Sequence, residues 1–158
     1  MAKNQDEPPK ISQVSHGANS PNIVGSHNSV TSLTVNHERR LSDEQRDLLV
    51  TLLMPFAGTD GSHLIDSMFG NVESTRFAMD FVDVFRRAGW NLPGNGFSQS
   101  LYTQTHFGLK IGVHSPADRP PALSALLDGL ALIGIESQGY VHPDVTPGEF
   151  RIIVCHRP

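Results

Sequence analysis

The stretch FAMDFVDVFRRAGW, positions 77–90, restricts the fold more than any other part of the chain. Phe77, Ala78, Phe81, Val82, Phe85 and Ala88 recur at spacings of three and four, which puts a wide apolar stripe on a helix. A helix of this length is marginal alone in water, so the stripe must be covered by another layer. Asn71 is placed to cap it, Glu73 suits the positive end of its dipole, and Gly89 suits the left-handed position beyond its last turn. Asp80, Asp83, Arg86 and Arg87 are expected on the solvent side, with Asp83 and Arg87 at ion-pair spacing. Immediately ahead, HLIDSMF at 63–69 reads as an apolar strand, and Gly70 turns it into the helix.

Other segments fit layers around this strand–turn–helix unit. Residues 41–57 form a helix that starts with a capping box of Ser42 and Gln45 and carries Leu48, Leu49, Leu52, Leu53 and Phe56. Pro55 disfavours helix at Met54, so regular structure should stop there. His37, Glu38, Arg39 and Arg40 ahead of it read as a solvated junction. Trp90 and Leu92 suggest a short second strand, and PGNGFSQS at 93–100 a loop. Residues 101–105 read as a brief strand or an extended crossing. FGLKIGVH at 107–114 alternates as a half-buried strand does. Asp118 is placed to cap a third helix, which tolerates Pro120 and Pro121 in its first turn. Its stripe is Leu123, Leu126, Leu127, Leu130 and Ile133, and Gly134 ends it. Tyr140 and Val141 suggest a short strand, and FRIIVC at 150–155 an inner one. Alternating strands and helices predict an α/β domain over 41–158, with a small mixed or mostly parallel sheet and about three helices in two or three layers.

The front of the chain has a different chemistry. Residues 1–10 are polar, carry a Pro-Pro pair, and are expected to be a disordered tail. Residues 11–38 are rich in Ser, Asn and Gly, and 11–36 contain no Asp, Glu, Lys or Arg. A faint repeat places VSHGANS at 14–20 against IVGSHNS at 23–29, and Val30, Leu33 and Val35 continue a strand-like pattern. A flexible linker needs no regularly spaced Val and Ile, whereas short β-repeats do. Two units cannot bury a core, since stacked repeats generally need three or more. Copies from several chains could complete it, which makes Val14, Ile23, Val24, Val30, Leu33 and Val35 an expected oligomerisation surface.

Composition excludes several classes. The formal net charge of −4 leaves no basic footprint for nucleic acid. Arg39-Arg40 and Arg86-Arg87 are pairs rather than a patch, and Tyr102, Phe107 and Lys110 lack the basic surroundings of a single-strand platform. The single cysteine, Cys155, rules out an intramolecular disulfide and a cysteine-based zinc site, and in an inner strand it is expected to be inert. No apolar run approaches the roughly 20 residues of a membrane-spanning helix. The amino end lacks a signal-peptide core, so a cytoplasmic setting is expected.

Four motifs, PFAG at 55–58, GNVE at 70–73, FAMDFVDVFRRAGW at 77–90 and PPALSALL at 120–127, resemble a module found in many bacterial proteins. There a variable front end, sometimes of membrane helices, precedes a similar α/β tail, and Asn/Gly-rich strands like NSPNIVGSHNS also occur upstream. The resemblance covers about residue 41 to the end. It implies the fold, and because that module has no settled activity, it transfers no catalytic residue.

For a ligand, the turn through Gly70, Asn71 and Glu73 is the natural position, since open α/β sheets bind at strand carboxyl ends and helix amino ends. Ser67, Gly70, Asn71, Glu73, His114 and Ser115 are expected to converge there if a pocket exists. Against this, neither phosphate-loop pattern is present, and Glu73 would repel an anion. An ordinary glycine turn explains the same residues. Asp66 inside the first strand needs a partner or a raised pKa, which can mark a working site; the ordinary reading has it facing an accompanying loop or an Arg. The eight histidines show no H-x-x-x-H spacing. A metal site could arise between subunits, for example from His27 of three chains on a three-fold axis, but most of the histidines read as surface or loop residues, and no metal or cofactor is expected.

These readings favour a non-enzymatic, self-assembling cytoplasmic interaction or scaffold protein. It would form a homo-oligomer, a trimer being one form, and could engage a protein partner, with no nucleic acid or membrane. The alternative is a sensor or enzyme for a nucleotide-like metabolite at the edge formed by Gly70, Asn71 and Glu73.

Overall fold

A computed structural model of the chain describes residues 38–62, 64–102 and 105–157. Of the two units into which the chain divides, Met1–Asn36 and His37–Pro158, all of these belong to the second. The expected strands over 11–36, and the oligomerisation surface of Val14, Ile23, Val24, Val30, Leu33 and Val35, lie outside the described residues.

The body is a small α/β domain with a mostly parallel mixed sheet. In chain order it runs α1 (Asp43–Leu53), β1 (Ile65–Met68), α2 (Val72–Arg87), β2 (Ser98–Ser100), β3 (Leu109–Val113), α3 (Pro121–Leu132), β4 (Gln138–Val141) and β5 (Phe150–Val154). The sheet order is β2-β1-β5-β3-β4. Strands β2, β1 and β5 are mutually parallel, β3 and β4 are parallel to each other, and β3 meets β5 antiparallel. The closing strand is thus an inner one, and its residues Ile152, Ile153 and Val154 are buried.

The three helices share one apolar cluster with one face of the sheet. Phe77, Phe81 and Phe85 of α2, Leu49 and Leu53 of α1, and Leu123, Leu126 and Leu130 of α3 pack with Ile65, Leu109, Ile111, Ile152 and Val154. Because a strand alternates sides, Met68, Ile153 and Cys155 face the other way, where partly buried Tyr102 packs on them. Helix α1 lies between α2 and α3. Its approach to α3 is close enough that a Cβ at Gly129 would lie 2.7 Å from Leu49 Cδ2.

Local signals act as expected at two helix starts. Ser42 and Gln45 form the capping box of α1, and Asn71 Oδ1 accepts the Ser74 N–H at 2.9 Å to cap α2. Gly89 ends α2 with φ +83, and a Cβ there would lie 3.0 Å from Ala57 Cβ, so both torsion and space demand glycine.

Three local expectations fail. Trp90 and Leu92 turn into the core instead of forming a strand, and only an isolated bridge between Asp60 and Asn91 is made there. Pro93, which has no N–H, follows at once and cannot extend a ladder. The second strand is Ser98–Ser100, inside the stretch read as a loop, and as an exposed edge it shows no apolar alternation. Asp118 does not cap α3. Pro120 holds that position with no side-chain cap, and Asp118 Oδ2 instead accepts the Gly148 N–H at 3.1 Å.

Candidate functional site

Gly70, Asn71 and Glu73 follow the carboxyl end of β1, where a ligand edge is expected, but their polar groups serve the fold. Glu73 accepts the Arg39 backbone N–H at 3.1 Å and two guanidinium N–H groups at 2.7 Å each. Arg39 also donates to the Cys155 carbonyl at 2.6 Å and lies 5.1 Å from the Phe77 ring centroid. It therefore pins the chain ahead of α1 onto both α2 and the end of β5. Burial works to raise the Glu73 carboxyl, but the Arg39 hydrogen bonds and charge outweigh it and hold the group below its ordinary value. Asn71 is committed twice: besides its cap, its side-chain N–H lies 2.7 Å from His156 Nδ1.

The six residues expected at this edge do not assemble. Strand β3 is antiparallel to β5, with Val113 paired to Phe150, so His114 and Ser115 lie at the edge where β1 and β5 begin. Gly70, Asn71 and Glu73 lie at the opposite edge. The His114 ring shares a hydrogen bond with the Val145 carbonyl at 3.0 Å, and the Ser115 carbonyl accepts the Asp118 N–H.

Ser67 is fully buried, in register with Val154 on the helix side, and its hydroxyl has no hydrogen-bond partner among the described residues. An unpaired buried hydroxyl costs about 1–3 kcal/mol of desolvation. Ser67→Ala should accordingly be stable to within about 0.5 kcal/mol of the natural chain, or more stable, in urea unfolding. A loss above about 1.5 kcal/mol would show that the hydroxyl has a structural role after all.

The sheet face away from the helices carries a second polar group. Asp66, only 1% exposed, accepts from Tyr102 Oη at 2.7 Å and from Ser98 Oγ at 3.2 Å. One partner, Tyr102, lies in the segment after β2, as a neighbouring loop would supply it, and the other, Ser98, belongs to β2 itself. Burial, then the bond to Asp66, pushes the Tyr102 phenol well above its ordinary value. Farther across, Lys110 Nζ lies 2.9 Å from His106 Nδ1 and 5.5 Å from the Tyr140 ring centroid. Lysine only donates, so Nδ1 accepts and the ring proton sits on Nε2. Burial, then the Lys110 charge, lowers the His106 pKa. Ring contacts run from Tyr102 to His106, Tyr140 and His142. Both Asp66 oxygens are satisfied by hydroxyls, and Lys110 is engaged on two sides, so the arrangement is a self-contained brace over Ile153 and Cys155.

The junction read as solvated is the other correction. Asp80, 3% exposed, accepts two N–H groups of Arg40 at 2.8 Å each, one of Arg46 at 2.8 Å and the Leu41 N–H at 2.9 Å. Its position could have signalled this. Asp80 is three residues after Phe77 and four before Val84, on the buried stripe itself, where an acid requires a partner. Among the described residues, no group of three or more His, Cys, Asp or Glu side chains could hold a metal ion. No described helix is long and apolar enough to cross a membrane. No known protein family, curated protein or solved structure matches the chain.

Proposed function

We propose that this chain is a non-enzymatic, self-assembling cytoplasmic interaction protein, whose copies join through residues 11–36 and present the α/β body to a partner. One observation carries this reading. Residues 11–36 hold no Asp, Glu, Lys or Arg, yet space Val14, Ile23, Val24, Val30, Leu33 and Val35 among turn formers. Two such repeats are too few to bury a core, and copies from neighbouring chains supply the missing layers. A closed homo-oligomer, with a trimer as one form, follows from this need.

Static light scattering tests it on the full chain and on one lacking Met1–Asn36. The full chain should weigh a multiple of 17.2 kDa, and the shortened one should be a monomer. An unchanged state of association after the deletion removes the idea.

The alternative, a sensor or enzyme for a nucleotide-like metabolite at Gly70, Asn71 and Glu73, has weaker support. Glu73 is held by Arg39 and Asn71 by Ser74 and His156, so a ligand there would have to displace bonds that hold the chain ends.

A further inference from the structure

Strand β4 forms one edge of the sheet, paired with β3 and with no described strand beyond it. The His142 N–H donates to the Val113 carbonyl at 2.9 Å, which fixes the phase of that pairing. Alternate residues of a parallel pair face the neighbour, so Gln138 and Tyr140 turn their backbone groups to β3. Gly139 and Val141 therefore point their N–H and C=O groups outward, a row open to pairing. All four residues of β4 are exposed, and none is charged or a proline, the usual means of blunting an edge.

Beside this row a groove of about 470 Å3 lies between β4 and α3. Its accessible wall is Val141, 51% exposed, with half-buried Val113 and Leu127 and exposed Pro116. Gly139 leaves a notch in it, since a Cβ there would meet nothing within 4 Å. Beyond the two ends of the strand stand exposed carboxylates, Glu136 and Asp144. Glu136 has no partner among the described residues. His142 does not neutralise Asp144, because its Nδ1 accepts the Asp144 N–H at 3.2 Å and so carries no proton. Two cations lie near: Arg119 lines the groove together with Asp118, which offsets it, and Lys110 is engaged by His106 and Tyr140. The ends of β4 stay acidic.

We propose that β4 takes up an extended peptide of a protein partner as an added strand, apolar at its centre and basic toward each end. Main-chain bonds to Gly139 and Val141 supply affinity, and every second side chain of the peptide meets the groove. Basic ends meet Glu136 and Asp144. A second copy is a poorer occupant, because its own β4 would bring the same two carboxylates against these. This names the partner of the proposed function and rests on that reading for there being one.

Fluorescence anisotropy tests it with three dye-labelled, amidated peptides, KTVTVTVTK, ETVTVTVTE and KTVTPTVTK, titrated with the full chain at low salt. The first should bind saturably and about fivefold tighter than the acidic one, a gap that closes in high salt. The proline peptide, which cannot continue a ladder, should bind at least about tenfold more weakly. Val141→Pro, tolerated at an edge because that N–H faces outward, should remove binding of the basic peptide and leave the far-UV circular dichroism unchanged. Glu136→Gln should narrow the preference for basic ends. No saturable binding of the basic peptide, equal binding of the proline peptide, or a preference for acidic ends overturns the proposal. So does a smaller assembly for Val141→Pro in light scattering, which would give the edge to a second copy. Light scattering on the chain lacking Met1–Asn36 judges the assembly and the titrations judge the edge, so either can fail alone.

Discussion

Phe85→Ala should cost about 4 kcal/mol of folding stability, the largest loss we expect from any single substitution in the body. Phe85 is fully buried on α2, and its ring stands edge-on to Trp90 at 4.8 Å and tilted to Phe150 at 6.5 Å. It therefore joins the central helix to the turn that follows it and to the first residue of the inner strand. Truncation removes the transfer energy of the ring and leaves a cavity that these two neighbours, each held by further contacts, cannot fill. In urea the midpoint should fall with an unchanged slope, since the surface exposed on unfolding is hardly altered. Phe85→Leu should cost about 1–2 kcal/mol, because most of the volume remains. A loss below about 1.5 kcal/mol for the alanine variant would mean that α2 is not the organiser of this core.

Asp80→Asn ranks second, at about 3 kcal/mol. The carboxylate is buried while Arg40 is half exposed and Arg46 is 20% exposed, so the cations left behind keep some water. That places the loss at the lower end for a broken buried pair. Burial works to raise the Asp80 carboxyl, but hydrogen bonds from Arg40 and Leu41, with the charges of Arg40 and Arg46, hold it below its ordinary value. A carboxyl lowered in the folded state stabilises fully above its unfolded pKa, about 4, and loses that contribution as pH falls through the folded value. The natural chain should thus weaken below about pH 4, whereas the Asn variant, already without the charge, should show a shallower decline. Glu73, also lowered, leaves some slope in both. Urea unfolding at neutral and acid pH separates the cases, and parallel pH profiles would show that Asp80 does not titrate with folding.

The parts legible in the sequence were those written as local periodicity. The stripe of α2 marks Phe77, Phe81 and Phe85, all buried, and the caps at Ser42 and Asn71 form as read. Strands β3 and β5 stand out because they are largely apolar and interior, and β1 falls inside the stretch read as a strand at 63–69 although two of its four residues, Asp66 and Ser67, are polar. Strand β2 does not, since Ser98, Gln99 and Ser100 at an edge need no apolar alternation. Strand direction is not a local property. Placing His114 beside Asn71 required β3 parallel to β1, and the antiparallel meeting of β3 with β5 sends it to the other edge. The bonds from Arg39 to Glu73 and Arg40 to Asp80 span 34 and 40 residues, a distance at which spacing rules are silent. Only the acid inside an apolar stripe hinted at them.

Cys155 and Trp90 each occur once, and they sit on opposite faces of the same sheet. The chain therefore carries two native probes of independent layers. The thiol is fully buried beside Met68 and Ile153, and burial also raises its pKa, so a thiol reagent reacts only when that face opens. Its labelling rate in the folded protein measures the opening free energy of the brace around Tyr102 and Asp66. The indole, meanwhile, follows the helix side. Comparing the two asks whether the sheet comes apart as one cooperative unit, or sheds its open face first.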